Sequence, residues 1–135
     1  MPIIQWTDAL SVNVREIDGQ HKHLVEMINS LFDAMKAGQA ADKLGSILTG
    51  LVTYTKTHFA AEEKYMQQYQ YPHYAMHKVE HDKLTAKVVD FGEKFKTGKA
   101  TISIDLMNFL KDWLTKHIQQ VDKQYSAFFN KKGLK

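Results

Sequence analysis

The chain has 135 residues, no cysteine, a formal net charge of +3 and a sequence pI of about 9.0. That length suits one domain, able to bury roughly two-thirds of its unfolded surface without a staple. The lack of cysteine excludes thiolate zinc sites, iron–sulfur clusters and disulfides, and it fits a reducing, cytoplasmic setting. The opening "MPIIQWTDALSV" lacks the basic lead and continuous apolar stretch of a signal peptide. No run approaches the roughly 18 apolar residues of a membrane span. Lysines are scattered among acids and cluster only in "NKKGLK", so nucleic acid is not an expected partner. The seven histidines are the more unusual feature.

Residues 1–17 read as an extended arm carrying Trp6, because Leu10, Val12 and Val14 alternate with polar positions. A first helix is expected from Asp18, a candidate cap, to a stop at Gly38, with Leu24, Ile28, Leu31 and Met35 on its inner stripe. The second runs from about Ala41 to Tyr69, with Leu44, Leu48, Leu51, Thr55, His58, Glu62, Met66 and Tyr69 facing in. The third follows "YQYP", with Pro72 in its first turn, and presents His77, His81, Leu84, Val88, Phe91 and Phe95. The fourth covers about Ile102 to Asn130, with Leu106, Leu110, Trp113, His117, Val121, Gln124 and Phe128 inward. The last residues, 131–135, form a basic tail. Four long helices with short connections predict an all-α, up-down-up-down four-helix bundle over residues 18–130.

That topology brings the start of helix one, the end of two, the start of three and the end of four to one end. His21, His58, Glu62, His77, His81, His117 and Asp122 then fall near one level, on inward stripes. Five unpaired imidazoles in one core would be costly, and a metal satisfies them together. Seven donors are too many for one zinc ion, and calcium and magnesium prefer oxygen. Imidazole with carboxylate suits iron, manganese or copper. Two metals bridged by both carboxylates use all seven groups, three histidines on one metal and two on the other. An oxo or hydroxo bridge added to these leaves one metal with an open position. His117 and Asp122 are five apart, about 140° round a regular helix, so a π-type bulge is expected there.

The stretches "IIQWTDALSVNVREIDGQH", "HFAAEE", "YPHYAMHKVEH" and "WLTKHIQQVD", with H-x3-E, H-x3-H and H-x4-D in order, resemble the hemerythrin family and its single-domain bacterial members. The resemblance covers nearly the whole chain. It implies a non-haem di-iron centre with an oxo or hydroxo bridge that binds O2 reversibly. It implies that His77, His81 and His117 hold the filled iron, His21 and His58 the iron with the vacancy, and that Glu62 and Asp122 bridge. In the cycle it implies, O2 uptake leaves the net charge of the buried site unchanged.

Leu114 stands where the family places an apolar residue beside the O2 pocket to limit solvent. Trp113 faces the same side, and Phe59, Leu24, Ile118 and Tyr125 are expected pocket neighbours. His23 and His73 are expected at the surface, and Glu63 and Asp82 are expected to point away from the site. Asp18, Gln20 and Glu80 are candidates to brace the ligand histidines from behind. The expected function is O2 carriage, storage or delivery by a monomer, with an oxygen-consuming enzyme as a further partner. The rival readings are a di-iron oxidase or peroxidase, an O2 or redox sensor, and an iron-handling protein. Carboxylate-rich oxidase sites use Glu-x-x-His, and no histidine here has a glutamate three residues before it.

Overall fold

The computed structural model describes residues 3–99 and 101–135, so Met1 and Pro2 of the expected arm lie outside the described residues. The elements are a 3-10 turn at Asp8–Leu10, α1 (Arg15–Lys36), α2 (Ala41–Gln68), α3 (Tyr74–Lys96), α4 (Ile104–Lys116), a π-helical segment (His117–Asp122) and α5 (Lys123–Lys131). The last three run on as one fourth helix. The chain is an all-helical four-helix bundle, with no strand among the described residues. Among the described residues, no helix is long and apolar enough to cross a membrane.

The arm is held by its apolar alternation. Leu10, Val12 and Val14 are buried as expected, while a 3-10 turn that ends on Leu10 replaces extended backbone there. Asn29 clamps the outer arm, accepting from the Ile4 amide at 3.0 Å and donating to its carbonyl at 2.9 Å. α1 starts at Arg15, three residues ahead of the expected Asp18, and its N-cap Val14 offers no side-chain acceptor. Asp18 sits inside the first turn and reaches back, accepting from Ser11 Oγ at 2.6 Å and the Val12 amide at 2.8 Å. A carboxylate there also opposes the positive end of the helix dipole.

Each long helix stops in the same way. The amides of Gln39, Tyr71, Lys99 and Leu134 bond carbonyls five residues back, around a left-handed residue at Gly38, Gln70, Gly98 and Gly133. This is the Schellman stop, in which the left-handed position favours glycine. Pro72 lies in the turn before α3 rather than in its first turn. α4 opens on Ser103, whose hydroxyl accepts from the Leu106 amide at 3.2 Å.

The inner stripe of α1 is buried at Leu24, Ile28 and Leu31, and that of α2 at Leu48, Leu51, Thr55, His58, Glu62 and Met66. The fourth helix corrects the sequence reading. Beyond His117 the buried positions are Ile118, Asp122, Tyr125 and Phe129, whereas Val121 and Phe128 are only half-buried and Gln124 is exposed. The π segment adds one residue to a turn, so every inward position after it falls one later than a regular helix dictates.

Candidate metal centre

The bundle gathers all seven expected donors at one end. His21 comes from early α1, His58 and Glu62 from late α2, His77 and His81 from early α3, and His117 and Asp122 from the two ends of the π segment. All seven are buried, none more than 5% exposed. Their donor atoms form two overlapping groups, each lying within 4.8 Å: Glu62, His77, His81, His117 and Asp122 in one, and His21, His58, Glu62 and Asp122 in the other. The two carboxylates belong to both groups.

Asp122 divides its oxygens between them. His77 and His117 direct Nε2 at its Oδ1, at 2.9 and 3.1 Å, and His21 Nε2 meets Oδ2 at 3.1 Å. Glu62 Oε1 stands 2.8 Å from His58 Nε2 and 3.6 Å from His81 Nε2. Its other oxygen accepts from the Tyr125 hydroxyl. The π turn is what permits this, since it sets His117 and Asp122 on one face despite their five-residue spacing.

The donor set fits transition-metal ions. Nε2 of His21, His77, His81 and His117, with Oε1 of Glu62 and both Asp122 oxygens, are buried without a hydrogen-bond partner. Buried polar groups in folded proteins are satisfied, so a converging set of orphans is a cost that an ion removes. With metal–ligand bonds of about 2.1 Å meeting at right angles, as in octahedral coordination, neighbouring donors lie about 3.0 Å apart, the spacing seen around Asp122 and between His58 and Glu62.

The electrostatics show how the site behaves without an ion. Burial alone pulls the His21 and His117 imidazoles down, but Asp122 and Glu62 carry both above the ordinary value. For His81 burial prevails over the pull of Glu62, and its value falls. Burial pushes the Asp122 carboxyl up, yet His117, His21 and His77 hold it well below the usual range. Glu62 is likewise lowered, with burial and Asp122 opposed by His58 and His21. Burial and the two carboxylates push the Tyr125 phenol well above the ordinary value, so it stays a donor.

Of the three residues expected to brace the histidines, one does so. Gln20 accepts from His58 Nδ1 at 2.6 Å, as expected of a brace. Asp18 is committed to the arm instead, and Glu80 is exposed. Glu63 overturns its expectation, because its Oε2 accepts from His81 Nδ1 at 2.9 Å. The residue after Glu62 points along α2 toward α3, where His81 stands. Asp82, His23 and His73 are exposed, as expected.

The six expected pocket residues are all buried but divide in two. The aromatic ones back the five-donor group: Phe59 stacks on His81 at 3.8 Å, Trp113 lies against His117 and Tyr125 against His77. Leu24, Leu114 and Ile118 are the aliphatic members, packed in the central core. Outside, a cavity of about 330 Å³ lined by Tyr71, Met76 and Val121 reaches the back of His77.

Residues 12–129 match the family model of the hemerythrin HHE cation binding domain. The chain is 40% identical over 126 residues to a bacteriohemerythrin of Methylococcus capsulatus, covering 93% of this chain and 95% of that one. It is 35% identical to a bacteriohemerythrin of Stenotrophomonas maltophilia, over 93% of this chain and 81% of the relative. Among solved structures, a wild-type hemerythrin matches with a TM-score of 0.89 and 39% identity, over 93% of this chain and 96% of that one. A leucine-to-alanine variant of hemerythrin matches with a TM-score of 0.90 and 38% identity, over 94% and 97%. Sequence, fold and a buried cluster able to bind metal thus agree, and the chain belongs to the hemerythrin family.

Proposed function

We propose that this protein binds O2 reversibly at a non-haem di-iron centre, for carriage, storage or local delivery, without turning a substrate over. One observation carries the reading: two overlapping donor groups, of five and four residues, share the same two carboxylates. Three imidazoles and two bridging carboxylates would fill one iron, apart from an oxo or hydroxo bridge. His21 and His58 with the same carboxylates would leave the other iron a free position. The family resemblance supports iron rather than manganese in this reading.

Held by these seven residues, an iron pair would supply the one-electron chemistry at each metal that reversible O2 binding needs. The protein's own residues set the conditions. Leu24, Leu114 and Ile118 supply an aliphatic wall that keeps water and protons from the vacancy. Phe59, Trp113 and Tyr125 fix the rings of the five-donor group. The Tyr125 hydroxyl orients Glu62 and prevents its carboxylate from swinging off the site. The chain has no cysteine to demand an oxidising compartment, and the reading is of a monomeric cytoplasmic protein that hands O2 to a consuming enzyme.

The test is optical. Iron-loaded, anaerobically reduced protein is expected to be colourless, to colour on O2 and to bleach again under argon through repeated cycles. Irreversible oxidation with turnover of an added reductant overturns the carrier reading in favour of an oxidase.

A further inference from the structure

The ligand histidines are not braced alike. His81 donates from Nδ1 to the Glu63 carboxylate at 2.9 Å. His58 donates to a neutral amide oxygen, that of Gln20, at 2.6 Å. His21 Nδ1 is buried with no hydrogen-bond partner. Among the described residues, His81 alone of the five has a carboxylate on its Nδ1. That carboxylate is itself shared. Glu63 Oε1 lies 3.4 Å from Lys78 Nζ, and Lys78 also bonds Asp82 at 3.1 Å. The Lys78 side chain is 41% exposed, so the chain Lys78–Glu63–His81 links the surface to the buried site.

A carboxylate facing an imidazole N–H draws on that proton and raises the electron density at the opposite nitrogen. A more basic nitrogen favours the higher oxidation state of the metal it holds. A neutral amide does this less. Negative charge therefore backs the five-donor group and not the four-donor group. The Lys78 ammonium draws on the same carboxylate and weakens its pull on His81.

We propose that Glu63 is a positioning residue that makes the five-donor metal the more readily oxidised of the pair, and that Lys78 tempers it from the surface. This rests on the di-iron reading above. It assigns opposite signs to two neighbours: losing the Glu63 charge disfavours the oxidised state, and losing the Lys78 charge favours it. A merely structural contact would move both variants the same way.

The test uses the whole iron-loaded chain and spectroelectrochemical titration of its diferric/diferrous couple, with air oxidation as a second readout. Glu63→Gln keeps shape and acceptor; its midpoint is expected to rise and its air oxidation to slow by roughly tenfold, the scale of such outer contacts. Lys78→Met keeps the packed stem; its midpoint is expected to fall and air oxidation to quicken severalfold. Gln20→Glu, which puts a carboxylate behind His58, is expected to lower the midpoint too. Should Glu63→Gln lose its iron, the other two still decide. Shifts of the same sign in Glu63→Gln and Lys78→Met, or a null or upward shift in Lys78→Met or Gln20→Glu, overturn the proposal. Wild-type protein that takes up no iron pair fails the underlying reading instead, before any variant is made.

Discussion

His117 and Asp122 are five residues apart, yet Nε2 of one lies 3.1 Å from Oδ1 of the other. In a regular helix they would sit about 140° apart. The π segment closes that angle and also sets Tyr125 and Phe129 inward. Deleting Gln119, which is exposed within the turn, leaves four residues' spacing, about 40° in a regular helix. That variant is expected to keep both the bundle and its metal uptake. Deleting Lys123, just past Asp122, cannot keep both. Either Tyr125 and Phe129 leave the core, or the turn closes and Asp122 swings away. Helicity and iron content of the two variants separate the cases; equal metal loss in both counts against this account.

The same turn marks the limit of what could be read beforehand. Periodicity located the four helices and six donors directly, because apolar stripes and donors share one phase up to His117. The spacing of His117 and Asp122 announces the bulge, but a regular period past it does not carry the one-residue shift. A regular period therefore carries Val121, Gln124 and Phe128 inward and misses Phe129, while Tyr125 is expected only as a pocket neighbour. Asp18 has the chemistry of a helix cap, and only the folded arm shows that it serves Val12. Adjacency to Glu62 on one helix predicts that Glu63 points away from the site. Its role depends on how α3 lies beside α2, which no local spacing encodes.

Tyr125→Phe removes the donor to Glu62 and strands a buried carboxylate oxygen. Leaving such a group unsatisfied costs about 1–3 kcal/mol. The metal-free variant is expected to lose that much in chemical denaturation. The phenol's raised value keeps it protonated through neutral pH, so the loss should not vary between pH 6 and 8. No loss at all would mean that Glu62 is held by something else.

Stability and metal uptake should respond to pH with opposite signs. His21 and His117 are raised from the ordinary 6.5. Their contribution to the metal-free fold is full below that value and is lost as pH rises through the folded values. Asp122 and Glu62 are lowered from 3.8 and 4.5, so their contribution holds above those values and is lost only as pH falls through the folded ones. His81, being lowered from 6.5, subtracts as pH falls below that value, in part offsetting the other two. From about pH 6.5 upward the metal-free protein should weaken. Metal affinity should rise over the same window, because ions compete with protons for these nitrogens. Urea denaturation of the apoprotein and cobalt titration across pH 6 to 8.5 measure both; parallel trends contradict the assignment.

Leu114 is 2% exposed and packs in the core beside Ile118. Leu114→Ala is expected to cost about 2–5 kcal/mol, as for buried leucines generally. By admitting water and protons to the vacancy it should also speed irreversible oxidation in air. Absorbance decay of the O2-exposed protein follows this; an unchanged rate removes Leu114 from the pocket wall.

Native mass spectrometry of the iron-loaded chain tests the shared-carboxylate centre most directly. Two irons per chain are expected, taken up together, with Asp122→Ala failing to hold a full pair, since both donor groups include that residue. A single bound ion, or an Asp122→Ala variant that still holds a full pair, would contradict it.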